Sequence, residues 1–374
     1  MQRMDSMGKV RCALGLMSGT SMDGIDVALL WTDGDRELRH GPAAGYPYPD
    51  KIRAQLRAAI VEARGLTDRA QRPGTLAEVE TALTELNAAV VAQFLAQNGL
   101  ESGHIDVIGY HGQTVLHDPA RALSVQLGDG GLLAERTGIS VVYDLRAADI
   151  AAGGQGAPLV PVYHRALAAK VPELPAAFLN VGGVANVTWV GRGGRLLAFD
   201  TGPGNALIDD WMLQHTGEAH DTDGGWSAQG ACDEDVLRDL LTHNYFGAPP
   251  PKSLDRNAFS ADPASRLSVA DGAATLAAFT AAAVGRAREH MPEEPTIWVV
   301  CGGGRKNRTL MSLIAGNVEN AVVPAEALGF NGDFIEAEAW AYLAVRAELG
   351  LPITYPETTG VARPMSGGVF RNVP

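Results

Sequence analysis

Two apolar runs, residues 11–16 and 24–31, flank a short polar stretch rich in hydroxyls and glycine, Met17-Ser-Gly-Thr-Ser-Met-Asp23. Short apolar runs bounded by turn residues predict strand, tight turn, strand. A third strand is expected before Tyr48 and a helix over about 50–64. Leu76, Val79, Leu83, Leu86, Val90, Phe94 and Leu95 recur at three- and four-residue spacing, which predicts a long amphipathic helix over 75–98 whose stripe faces the core. Runs at 106–110 and 139–143 read as buried strands of a mixed sheet. Polar residues follow them, Gln113 and Thr114 after the first, Asp144 and Arg146 after the second. Open α/β sheets place ligands at such strand ends.

The plan then starts again. Val171-Pro-Glu-Leu-Pro175 marks a hinge, and beyond it come strands at 176–181 and 187–190, a Gly191–Gly194 turn, and a strand at 195–199 that runs into Asp200. A helix starts near Asn205, others are expected at about 232–242, 268–290 and 333–349, and the strand 296–300 feeds a run of three glycines. The architecture repeats although the sequence does not. The expected division is a first domain over 10–174, joined by a returning C-terminal segment 350–374, and a second over 175–349.

Composition narrows the partners. The 374-residue chain exceeds the size at which one core usually stops growing, so two domains are the default. Its net charge of −13 opposes sequence-independent nucleic-acid binding, which needs a positive surface to displace counterions. Local cations must therefore meet any anionic ligand. Cys12, Cys232 and Cys301 form no C-x-x-C and no disulfide framework, the N-terminal residues lack the apolar core of a signal peptide, and no run has the length of a membrane span. A cytoplasmic protein that binds neither nucleic acid nor membrane is expected. The histidines show no zinc-site spacing.

The first turn carries the candidate chemistry. Gly19 lets backbone approach an anionic oxygen, Thr20 and Ser21 add hydroxyl donors beside N–H groups, and Gly24 frees the chain to begin the next strand, so residues Gly19, Thr20, Ser21, Met22, Asp23, Gly24, Ile25 and Asp26 form a candidate phosphate cradle. No Lys-Ser/Thr pair follows, as a Walker loop requires, and the glycines lack G-x-G-x-x-G spacing. A strand-turn-strand phosphate hairpin resembles that of the sugar kinase, heat-shock ATPase and actin superfamily. Within it, Gly15-Leu-Met-Ser-Gly-Thr-Ser-Met-Asp-Gly24 resembles the anhydro-N-acetylmuramic acid kinases of bacterial cell-wall recycling. Further blocks resemble the same family in its order: His111-Gly-Gln-Thr114, Asp149 to Pro161, Asn180 to Thr188, Phe199-Asp-Thr-Gly-Pro-Gly-Asn205, Cys301-Gly-Gly-Gly-Arg-Lys-Asn307 and Thr358-Thr-Gly-Val-Ala-Arg-Pro364. The resemblance implies an α/β fold of two-domain actin-like ATPase (ribonuclease H-like) architecture, with mixed sheets flanked by helices and a central nucleotide cleft. It also implies a cytoplasmic homodimer that uses ATP and Mg2+ on a small-molecule substrate, 1,6-anhydro-N-acetylmuramic acid.

By resemblance Asp200 is the catalytic base, and Thr201, Gly202, Gly204 and Asn205 form a second phosphate segment, their N–H groups aided by the following helix. An aspartate at that position could equally cap the turn or helix. Gly302, Gly303 and Gly304 suit a flat adenine or ribose, with Asn307 as nucleoside partner, although three glycines also suit a tight strand-to-helix turn. The superfamily commonly ends its first strand in an Asp near the metal, but Leu16 stands here, so Asp23 or Asp200 would hold magnesium, mainly through water. For the sugar the resemblance implies Gln113, Thr114, Arg146 and Glu336. A guanidinium suits the lactyl carboxylate because it offers two parallel hydrogen bonds; a surface ion pair is the plainer alternative for Arg146.

The activity implied is opening of the anhydro bridge by water and phosphorylation of the released O6, with Asp200 ionised as an ordinary Asp of pKa near 3.9 would be. Two other readings stay open at this point: a non-catalytic ATP-switched binding protein, and a kinase for an ordinary hexose or amino sugar.

Overall fold

The structure, a computed structural model, describes residues 8–19 and 21–373. The chain forms two units: a first that ends at Ala169 and resumes at Phe334, and a second over Lys170–Asp333. In the first, β1 (Arg11–Met17), β2 (Gly24–Thr32) and β3 (Leu38–Pro47) form an antiparallel meander, with Met17 opposite Asp26 at the turn. Next to β1 lie β4 (Val107–Tyr110) and β7 (Val141–Tyr143), both parallel to it, and β13 (Val369–Arg371) closes the far edge. The sheet order is β13-β7-β4-β1-β2-β3, and β5 (Gln113–Asp118) with β6 (Leu123–Leu127) makes a separate hairpin. Helices α1 (Asp50–Ala63), α2 (Leu76–Gln97), α3 (Gly130–Thr137), α4 (Ala147–Ala151) and α5 (Pro161–Leu167) belong to this unit. The α2 stripe is buried as its spacing predicts, except for Leu86, which is half-buried.

The second unit repeats the order. Its sheet runs β10-β9-β8-β11-β12, from β8 (Ala176–Val181), β9 (Val184–Val190), β10 (Leu196–Pro203), β11 (Ile297–Cys301) and β12 (Ala321–Pro324). The first three strands are again an antiparallel meander, and the last two are again parallel to the first. This doubled mixed-sheet plan agrees with the expected α/β class. Helices α6 (Ala206–Thr216), α7 (Glu234–Leu240), α8 (Val269–Ala287) and α9 (Arg308–Val318) complete the unit, and α8 is almost wholly buried along its alanine-rich length.

One expected boundary moves. The helix predicted at 333–349 is α10 (Ile335–Glu348), which lies in the first unit, packed on β1, β2 and β4, rather than in the second domain. It is followed by the short α11 (Pro356–Thr359). The sequence pattern hid this because α10 is buried on nearly every face, so it lacks a polar side. Glycines make the approach possible: a methyl at Gly15 of β1 would collide with the Ala337 carbonyl of α10, and one at Gly109 of β4 with the Trp340 carbonyl. The buried Glu338 of the same helix accepts from the Tyr163 hydroxyl at 2.8 Å and meets His40 Nδ1 at 3.0 Å.

Because backbone cannot retreat as a side chain can, Gly15→Ala and Gly109→Ala should each destabilise the protein by the roughly 1–3 kcal/mol of an overpacked core. Gly103→Ala, which meets no atom within 4 Å, is the control. Thermal unfolding of the three variants checks this; equal melting temperatures would refute the close approach.

Candidate active site

The β1–β2 turn is braced from below. Met22 N–H donates to the Gly19 carbonyl at 3.2 Å, and Met22 adopts φ 56°, left-handed for a residue other than glycine. Tyr48 supports both ends: its hydroxyl donates to Ser18 Oγ at 2.7 Å and its N–H to the Asp23 carbonyl at 2.9 Å. A methyl at Gly24 would strike the Tyr46 carbonyl, so glycine there lets β3 lie against the turn. Ser21 and Asp23 are exposed, while the Ile25 side chain is in the apolar core, which leaves only its backbone for a ligand. Asp26 sits half-buried opposite Met17. Thr20 lies outside the described residues.

Gln113, expected on the sugar, is fully buried, and its Nε2 donates to the Gly19 carbonyl at 3.1 Å. Its Oε1 has no hydrogen-bond partner among the described residues. The first contribution of this side chain is therefore to hold the hairpin. Thr114, next along β5, is half-buried opposite Gln126.

Arg146 and Glu336 do come together within the first unit. Arg146 Nη1 donates to the Gly156 carbonyl at 2.9 Å and Nη2 to His111 Nε2 at 3.2 Å, while the guanidinium stands 5.6 Å from the Trp340 ring centre. Burial pulls the Arg146 pKa down to about 10, against the pull of Glu336 and Asp149, whose negative charge favours the cation. Burial pushes the Glu336 carboxyl up, with Arg146 opposing. His111 is a neutral imidazole with its pKa lowered to about 3, by burial first and by Arg146 second. Since Nε2 accepts from Arg146, the proton sits on Nδ1, which donates to the Gly112 carbonyl at 2.8 Å. Arg146 is half-buried, and its hydrogen bonds go to the Gly156 carbonyl and His111.

The adjoining loop explains two sequence blocks at once. Asp149 is buried and accepts from Gly156 N–H and from the Thr359 hydroxyl, both at 2.7 Å. The Asp149 and Thr358-Thr359 blocks thus shape the loop whose Gly156 carbonyl holds Arg146. His111, Asp149 and Thr359 were visible only as members of blocks, and nothing in local sequence assigned them these contacts.

In the second unit Asp200 sits in β10 at a bulge, where the register against β9 shifts between Asp200 and Gly202. Its Oδ2 accepts from Leu254 N–H at 2.7 Å. Burial raises its pKa to about 7, and the Leu254 hydrogen bond offsets only part of that. The expectation of an ordinary carboxylate is therefore corrected: near neutrality Asp200 divides between protonated and ionised forms. A base with a pKa near working pH is well matched to proton transfer.

The anion cradle expected from the N–H groups of 201–205 takes another form. Gly204 and Asn205 N–H groups donate to the Gly183 and Gly182 carbonyls at 2.9 and 2.7 Å, and Asn205 Nδ2 donates to the Val181 carbonyl at 3.0 Å. Thr201 is buried, its hydroxyl donating to the Ala185 carbonyl at 3.2 Å, and Gly202 faces Ala283 and Phe246. The segment is locked to the β8–β9 turn, and the Gly204 and Asn205 N–H groups serve that lock. Gly302 has φ 73° and would clash with Asn180 and Val181 if it carried a methyl; Gly304 abuts Val181, and Gly303 is exposed. Asn307 caps α9, its Oδ1 accepting from Leu310 N–H at 2.8 Å, so that oxygen is engaged locally. Arg305 of the same block donates to Glu326 and Asp333 at 2.9 Å each.

Among the described residues no group of three or more His, Cys, Asp or Glu side chains is placed to hold a metal ion, and no helix is long and apolar enough to cross a membrane. One exposed carboxylate, Asp23, stands on the hairpin. Such a donor set fits magnesium only as a largely hydrated ion shared with phosphates.

The family model for anhydro-N-acetylmuramic acid kinase matches residues 11–372. The chain belongs to that family. Among its relatives, the anhydro-N-acetylmuramic acid kinase of Agrobacterium fabrum is 51% identical over 370 residues, covering 97% of this chain and 99% of the relative. Those of Rhodospirillum rubrum and Rhizorhabdus wittichii are 53% and 54% identical over 359 residues, each covering 96% of this chain and 93% and 98% of the respective relatives.

The Asp200 shift has a consequence for stability. A carboxyl that binds its proton more tightly folded than unfolded lowers stability as pH rises from about 4 to about 7, after which the deficit is constant. Asp200→Asn cannot ionise, so its melting temperature relative to the parent should climb over that window and level off above it. A difference independent of pH would contradict the raised pKa.

Proposed function

We propose that this protein is an ATP-dependent kinase that opens the 1,6-anhydro ring of 1,6-anhydro-N-acetylmuramic acid and phosphorylates O6, yielding N-acetylmuramic acid 6-phosphate and ADP for peptidoglycan recycling. The observation that carries the reading is the family match from residue 11 to residue 372. Asp200 supplies a chemical reason. Its half-buried carboxylate is tied through one oxygen to Leu254 N–H, and a pKa near 7 would let it take and release a proton at working pH.

In this reading Asp200 takes a proton from the water that attacks the anomeric carbon. The C1–O6 bond breaks, the water oxygen becomes the C1 hydroxyl, and the electron pair stays on O6. O6 attacks the γ-phosphorus, the bond to the β-phosphate oxygen breaks, and ADP leaves; Asp200 returns its proton to solvent. Gly19 to Asp26, Thr20 included, would cradle the phosphates. Magnesium, when bound with Asp23 or Asp200 in its hydrated shell, would neutralise phosphate charge. Arg146 would meet the lactyl carboxylate, with Thr114 and Glu336 on the sugar and Gln113 steadying the hairpin beneath. Gly302 to Gly304 would leave room for the adenosine, with Asn307 setting the start of α9. A cytoplasmic location and a homodimeric state complete the proposal.

Mass spectrometry of product made from ATP and candidate sugars tests it: the anhydro sugar should gain one water and one phosphoryl group, and open-ring N-acetylmuramic acid or glucose should react far more slowly. Preferential turnover of an open-ring hexose would overturn the substrate. Asp200→Asn should lower turnover at least the roughly 100-fold typical of lost general base catalysis while nucleotide still binds. Arg146→Lys keeps charge and loses the fork, so the sugar KM should rise about tenfold or more with the ATP KM little changed. Equal damage to both would point to a structural role for Arg146.

A further inference from the structure

The segment 245–254 grips Asp200 at three points. The Tyr245 hydroxyl donates to the Asp200 carbonyl at 2.6 Å, Asp200 N–H donates to the Lys252 carbonyl at 3.0 Å, and Leu254 N–H donates to Oδ2 at 2.7 Å. This strap is itself fastened. Lys252 Nζ donates back to the Tyr245 and Phe246 carbonyls at 3.1 and 3.3 Å and lies 3.2 Å from His290 Nε2. Phe246 is buried among Phe259 and Phe279, which anchors one end in the core. Between the anchors runs Pro249-Pro-Pro251, whose fixed φ angles restrict the backbone.

We propose that Tyr245 and Lys252 are positioning residues for Asp200: they hold the strap that pins its backbone and Oδ2, leaving Oδ1 to meet the substrate water. The inference rests on the reading of Asp200 as the base and adds what keeps that base in place. Neither residue falls in a family-like block of the sequence.

The strap is what holds the carboxylate's place. Across β9 the residue opposite Asp200 is Asn186, and the Lys252 ammonium turns toward the Tyr245 and Phe246 carbonyls. The hydrogen bond to the Asp200 side chain is the one from Leu254 N–H, and it depends on strap geometry. Loosening the strap should therefore shift the carboxylate without removing it.

The experiment is steady-state kinetics with the anhydro sugar and ATP each varied, in the parent, Tyr245→Phe and Lys252→Met, with circular dichroism as the check on folding. In both variants kcat should fall roughly three- to tenfold while the KM for each substrate stays within about twofold of the parent, as expected when an interaction that orients the base is weakened. An unchanged kcat in folded variants would overturn the proposal, and so would failure of Tyr245→Phe to fold, because losing one hydroxyl would then have exposed a scaffolding role. Asp200→Asn, measured alongside, separates the two layers: full activity there would remove the base itself, whereas an inactive Asn variant with an unchanged kcat in the strap variants would remove only the strap.

Discussion

A half-buried carboxylate with a single backbone donor on one oxygen is the constraint on which the proposed chemistry depends. Asp200 has Leu254 N–H on Oδ2 and otherwise pays for burial, which leaves its pKa at about 7. A fully solvated aspartate would be ionised at neutral pH but a weak base toward water. A carboxylate held by several donors would be weaker still. The bulge in β10 and the segment from Tyr245 to Leu254 both lie against this one side chain.

The two units use the same sheet order but fill it differently. In the first, glycines at Gly15 and Gly109 admit α10 close against the sheet, and that helix carries Glu336 at its start and Trp340 beside His111. In the second, Gly204, pressed on the Gly182 carbonyl, and Gly302, pressed on Asn180 and Val181, let the β8–β9 turn, the end of β10 and the end of β11 interlock. Small residues thus do two jobs in this chain: they bring a helix to a sheet, and they fasten turns to one another. Neither job requires the glycine itself to touch a ligand.

That distinction sets how much the sequence could reveal. Strand-turn-strand at residues 11–31, the α2 stripe and the restarted meander after residue 175 were legible because alternation, helical spacing and turn residues all pointed the same way. The position of α10 was not, since a helix buried all round looks the same whichever sheet it covers. Gln113 and Asn307 could be singled out by motif, but their contacts with Gly19 and Leu310 depend on long-range packing in one case and on cap geometry in the other. The grip on Asp200 was the least visible feature. Tyr245 and Lys252 lie more than 40 residues downstream of it, in a proline-rich stretch that reads as an ordinary loop.

In the proposed reaction one carboxylate activates water at the anomeric carbon while the original bridge oxygen stays on C6 to accept the phosphoryl group. Reaction in ¹⁸O-labelled water, quenched quickly and corrected with an unlabelled-product control for anomeric exchange, tests it by locating the label in the product. Label is expected at C1 and none in the phosphoryl group. Corrected incorporation at C1 near zero, or label in the phosphate, would contradict it.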